Sequence, residues 1–246
     1  KKVDIFRLNR HDNITEYNLL PPNATDNLSK SPILSSQRVI EGIFHKGVVV
    51  CEADADRAVY QSVASVEYMS NQEILFIHSH NKQTHKDVAR LLVEAKIPVA
   101  LIVDIDIFNG DADLKNILEI LGDNLENVDL LEKRKVIAES VNKVSENEIL
   151  EYVKNEIKLF LEQLEKGEHT LNGAKSAYKR IEKEFTSWKD VKDKGIIGFS
   201  SDIQPTVIAL INALKAKGIF LALNKIHSRG CSPELKDFIK EVLAFF

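Results

Sequence analysis

Residues 47–60 read Gly-Val-Val-Val-Cys-Glu-Ala-Asp-Ala-Asp-Arg-Ala-Val-Tyr, residues 73–78 read Glu-Ile-Leu-Phe-Ile-His, and residues 98–108 read Pro-Val-Ala-Leu-Ile-Val-Asp-Ile-Asp-Ile-Phe. Three short apolar runs alternate here with two helical segments. Runs that are apolar throughout, rather than at every second residue, belong to strands buried on both faces, as in a parallel sheet covered by helices. Acids stand where the first and third runs end. Glu52 follows Val48 to Cys51, with Asp56 one helical turn on, and Asp104 and Asp106 follow Val99 to Val103. In an open α/β sheet the ligand site lies beyond the carboxyl ends of the strands, so these four carboxylates are expected at one edge. Carboxylates that share a site repel unless a cation holds them, and hard oxygen donors suit Mg²⁺ or Mn²⁺.

Working outward, the spacing predicts helices over 54–66, 84–94 and 111–121, the last stopped by Gly122. Residues 3–8 read as a half-exposed strand. Residues 9–36, rich in Asn, Pro, Ser and Asp, read as a connecting arm, and 32–44 as a short helix. From Leu125 to about Asp193 the chain is charged and helix-forming, with apolar residues at helical spacing over 130–141, 146–165 and 174–192; Gly167 and Gly173 separate the last two. Its charge reads mostly as a solvated face, with DNA gripping by Lys175, Lys179, Arg180 and Lys183 as the alternative, and Trp188 reads as a packing anchor. The core pattern resumes with a helix over 204–217, ended by Gly218, a fourth strand over 219–223 and a closing helix over 233–246. The expected fold is α/β, a four-stranded parallel sheet with an inserted helical region.

The 246 residues are 44% hydrophobic and 28% charged, an ordinary globular balance, and the net charge of −4 gives no global attraction to nucleic acid. A nucleic-acid partner has to be held by local cations or a bound metal. No run approaches the ~20 apolar residues of a membrane span, and no signal peptide is visible. Cys51 and Cys231 form no pattern, which fits a reducing cytoplasm. The sole methionine is Met69, so the opening at Lys1 is expected to be a processed or cut end. His78, His80, His85 and His227 match no closed zinc motif.

A Glu closing the first strand with Asp-x-Asp closing the third resembles the signature of the Toprim domain, a Rossmann-like unit of topoisomerases, primases and certain nucleases. The longer stretches Phe44-His45-x-Gly-Val-Val-Val-Cys-Glu-Ala-Asp-Ala-Asp-Arg and Ile97-Pro98-Val99-x-x-Ile-Val-Asp-Ile-Asp are similar to the Toprim half of the OLD (overcoming lysogenisation defect) nucleases. The resemblance implies a metal-dependent DNA endonuclease or nickase, preceded in the same chain by an ABC-type ATPase through which ATP acts, and serving in bacterial defence against phage. It implies that Glu52 is a metal ligand or the general base, and that Asp56, Asp104 and Asp106 complete the metal site. Two departures stand out. Where the family shows Gly-Gly-Lys, this chain has Ser79-His80-Asn81-Lys82, which keeps Lys82 as a catalytic or DNA-contacting residue. Where it shows an acidic motif after the fourth strand, this chain has Asn224-Lys225-Ile226-His227. His227 is then a replacement ligand in a second metal site, and Lys225 a DNA contact.

The expected organisation is an N-terminal strand and arm over 1–43, a Toprim core over 44–124, a helical insertion over 125–195 and the rest of the core over 196–246. The expected partners are DNA and a second copy of the chain in a homo-oligomer. The alternative is a degenerate Toprim module, catalytically weak, acting in regulation, assembly or DNA binding. A receiver-like or phosphatase-like domain built on Asp104 does not account for Glu52 and Asp56.

Overall fold

The structure, a computed structural model, describes residues 4–32, 34–67, 73–79, 82–122, 124–167, 170–184, 188–223 and 232–246. From the N-terminus, β1 (Phe6–His11) and β2 (Ile14–Leu19) form an antiparallel hairpin, and α1 (Pro22–Lys30) and α2 (Gln37–Gly42) lead into the sheet. There follow β3 (Gly47–Cys51), α3 (Asp54–Glu67), β4 (Ile74–His78), α4 (Lys82–Glu94), β5 (Val99–Asp104) and α5 (Asp111–Leu121). A helical stretch comes next: α6 (Asn124–Glu165), α7 (Leu171–Glu184) and α8 (Lys189–Lys194). The chain closes with α9 (Gln204–Ala216), β6 (Ile219–Ala222) and α10 (Pro233–Leu243).

The expected four-stranded sheet is present, in the order β4-β3-β5-β6, with every neighbouring pair parallel. The continuous apolar runs are explained by burial on both faces. Val48, Val50, Leu101 and Val103 turn to the side covered by α4, α5, α6 and α9. Val49, Cys51, Ala100 and Ile102 turn to the side covered by α3 and α10. Strand order reverses at β3, which has β4 on one side and β5 on the other. The carboxyl ends of β3 and β5 flank that switch point, where a doubly wound sheet leaves a crevice. Gly218 makes the turn into β6 at φ +82, where a Cβ would lie 2.9 Å from the Val99 carbonyl. The same backbone approach lets Leu101 N–H donate to the Gly218 carbonyl at 2.8 Å.

The N-terminal reading needs correction. Residues 14–19 are a strand and 22–30 a helix, not parts of an arm. Asp12, at φ +52, sits in the two-residue loop between the paired His11 and Ile14, a conformation that Asp tolerates. The hairpin is inverted. Arg7 points inward, 4% exposed, and donates to the carbonyls of Ile43, His45 and Lys96, each at 3.0 Å. The cross-strand pairs Phe6–Leu19 and Leu8–Tyr17 face outward.

The helical stretch is also simpler than its sequence suggests. Residues 130–141 and 146–165 belong to one 42-residue helix, and Gly173 lies within α7 rather than before it. Helix α6 is anchored in its first half, where Leu130, Ile137, Ala138 and Val141 are buried. There Arg134 pairs with Asp111 and donates to the Phe108 carbonyl at 3.2 Å. Trp188 is buried against Phe199, ring to edge at 6.2 Å. No described helix is long and apolar enough to cross a membrane.

Candidate active site

Glu52 is the residue after β3, and Asp104 ends β5. The register Val48–Val99, Val49–Ala100 and Val50–Leu101 runs the two strands side by side, so their ends meet. The Asp104 N–H donates to Glu52 Oε1 across the switch point at 3.4 Å, a long hydrogen bond. Asp56 lies in the first turn of α3, where the helix dipole favours an anion. Asp104 is exposed; Glu52 and Asp56 are half-buried.

These three acids act on one reporter beneath them. Tyr60, buried in the α3–α10 layer, has its phenol pushed far above its ordinary range, first by burial and then by the charge of Asp56, with Asp104 and Glu52 adding to it. Burial, and next Asp56, likewise push the Cys51 thiol up, so it stays an inert apolar side chain. The neighbouring Asp54 is engaged elsewhere. Its carboxylate accepts from Arg57 at 2.6 Å, which holds its pKa down, and lies 3.2 Å from His78 Nδ1.

Asp106 sits in the 3-10 turn 105–108 after β5. Its Oδ2 accepts from Lys192 Nζ of α8 at 2.8 Å. Sequence reasoning missed Lys192, because nothing local marks it: 86 residues separate the pair. His85, weighed in the sequence only against a zinc motif, is buried rather than a turn or surface residue, and its Nδ1 lies 3.0 Å from Ser79 Oγ. Ser79 binds the Cys51 carbonyl by its N–H at 3.0 Å and by its hydroxyl at 3.3 Å, directly before Glu52. Lys82 begins α4, and its side chain lies outside the described residues, as do Lys225 and His227.

Among the described residues, no three His, Cys, Asp or Glu side chains close on one point as a metal cage. The donors at the edge are all hard carboxylate oxygens. That set fits Mg²⁺ or Mn²⁺, which need only one or two carboxylates and keep water or substrate oxygens in the other positions.

Residues 43–106, from Ile43 to Asp106, match the family model described as the overcoming lysogenization defect protein-like TOPRIM domain. The C-terminal region of the Xanthomonas campestris pv. campestris OLD protein aligns at 16% identity and a TM-score of 0.35, over 82% of this chain and 92% of that one. No curated protein matches the chain. The stretch that carries Glu52, Asp56, Asp104 and Asp106 is therefore similar to an OLD-like Toprim domain.

Proposed function

We propose that this chain is a metal-dependent DNA endonuclease or nickase that hydrolyses phosphodiester bonds. It works with Mg²⁺ or Mn²⁺ and is governed by an ABC-type ATPase in the same full-length protein. The observation that carries the reading is the meeting of Glu52 with Asp104 at the sheet's switch point, 3.4 Å from carboxylate to backbone N–H, inside the stretch matched by the Toprim family. Glu52, Asp56 and Asp104 would hold the ion, with Asp106 beside them. The chemistry supplied by a bound divalent ion is polarisation of the scissile phosphate and activation of water. The protein's own contribution is orientation. Glu52 is oriented by the Asp104 amide and by the Ser79 clamp on the preceding peptide, and the family resemblance suggests Lys82 as a phosphate contact. The resemblance to OLD proteins supports a cytoplasmic role in anti-phage defence, and assembly as a homo-oligomer is part of the same reading.

A weak or regulatory Toprim module is the second reading, and the Lys192 ammonium on Asp106 favours it, since a cation already neutralises that acid. Nicking of supercoiled plasmid separates the two. The nuclease reading expects nicking with Mg²⁺ or Mn²⁺, none with EDTA, and a loss of at least about a hundredfold in Asp104→Ala. No nicking by this chain, nor by the full-length protein with ATP, would establish the regulatory module.

A further inference from the structure

Between α4 and α5, beside the candidate metal edge, lies a cavity of about 50 Å³. Glu52, Lys86, Asp113 and Asn116 give it polar walls, Ile107 gives it an apolar side, and His85 lines it from α4. His85 is 2% exposed. Its Nδ1 is taken by Ser79, so Nε2 is the ring nitrogen left for the cavity, and Nε2 has no hydrogen-bond partner among the described residues. In either tautomer of a neutral imidazole, Nε2 needs a partner, as donor or as acceptor. A buried polar atom without one costs roughly 1–3 kcal/mol, so such atoms in native proteins are met by ordered water. The cavity has room for roughly three to five waters and offers them several polar groups.

We propose that His85 is a positioning residue for Glu52, acting through water held in this cavity. The same imidazole reaches Glu52 by a second route. Ser79, which it holds through Nδ1, grips the Cys51 carbonyl immediately before Glu52. Burial keeps the imidazole neutral, with its pKa lowered to about 4, which preserves Nε2 as one member of a water network rather than a buried cation. The role of Glu52 as a metal-holding acid is taken from the proposed function; the water-mediated link between His85 and Glu52 is independent of it.

Two arms test the link on the whole chain. In the first, histidine-labelled protein is followed by NMR without metal. We expect a cross-peak between the His85 ring and water, and a shift of the His85 Nε2 resonance in Glu52→Gln. Absence of both would overturn the proposal. In the second, Mn²⁺ affinity is measured by calorimetry in three folded variants. His85→Gln, which mimics Nε2 but gives up the Ser79 contact, should bind clearly more tightly than His85→Leu, within about threefold of wild type. His85→Asn, which replaces Nδ1, and His85→Leu should bind about tenfold more weakly, the usual effect of an outer-shell partner. Retention by Asn with loss by Gln would assign the effect to the Ser79 clamp alone and overturn the water route. If wild type binds no Mn²⁺, the metal reading of Glu52 fails, and the NMR arm still decides the role of His85.

Discussion

A lysine ammonium on a carboxylate competes with any other cation for it. Lys192 and Asp106 are 44% and 19% exposed at their side chains, so water and salt screen their attraction, and such pairs contribute roughly 0.2–1 kcal/mol. Lys192→Met is therefore expected to tighten Mg²⁺ or Mn²⁺ binding by about two- to fivefold, read by calorimetry at fixed ionic strength. Weaker binding would mean that Lys192 holds Asp106 in its binding orientation instead of competing for it. His85 carries a different prediction. Burial lowers its pKa from 6.5 to about 4. The unfolded chain takes up a proton below pH 6.5, whereas the folded chain resists it until about pH 4, so the unfolded state binds more protons in that window. The stability contributed by the neutral imidazole is complete above pH 6.5 and is lost as the pH falls toward 4, by at most about 3 kcal/mol. Urea titrations at about pH 7.5 and 4.5 should show this loss, and it should shrink in His85→Leu. An unchanged pH slope in that variant would remove His85 as the cause.

At the level of elements, the hairpin β1–β2 depends on one arginine. Arg7 fills three backbone carbonyls on two segments of the core, the end of α2 and the turn before β5. Hydrogen bonds from a charged donor contribute about 1.5–3 kcal/mol each when their loss leaves the partner buried, though they are not additive. Arg7→Met should cost about 2–4 kcal/mol and abolish hydrogen-exchange protection across 6–19 while the parallel sheet keeps its own. Equal protection in the variant would place the anchor elsewhere. This inversion also explains what could be read in advance. Strands β3, β4 and β5 were legible because burial on both faces writes an uninterrupted apolar run, and the acids at their ends were legible because the parallel topology sends those ends to one edge. Of the hairpin only the first strand was legible, over 3–8; β2 was not, because its apolar Tyr17 and Leu19 point out with Leu8 and Phe6 while Arg7 points in, opposite to the usual alternation. The break expected between 141 and 146 did not exist, since Asn142 to Ser145 contain no glycine or proline to end a helix that tertiary anchoring had already started. The Lys192–Asp106 and Ser79–His85 pairs are products of packing, and no local spacing announces them.

For the molecule as a whole, charge decides how DNA can be approached. The chain carries 33 basic and 37 acidic residues, a net −4, so its long-range field repels a polyanion. Repulsion acts where the chemistry is proposed, because Glu52, Asp56 and Asp104 sit on one sheet edge and their charge reaches the buried Tyr60. A phosphate enters such an edge only if its sign is inverted, and a divalent ion is the largest local charge available to do that. Lysines on the helical stretch can add contacts but face as many acids there. DNA binding is therefore expected to depend on divalent metal before any bond is cut. In anisotropy measurements with a labelled duplex at about 0.1 M salt, Asp104→Asn, which removes one negative charge and keeps the shape, should bind DNA in EDTA more tightly than wild type. Wild type should gain at least about tenfold when Mg²⁺ is added, and the variant less. Wild-type affinity that is equal in EDTA and in Mg²⁺ would place DNA on a surface away from the β3–β5 edge, with the acids serving some purpose other than phosphate chemistry.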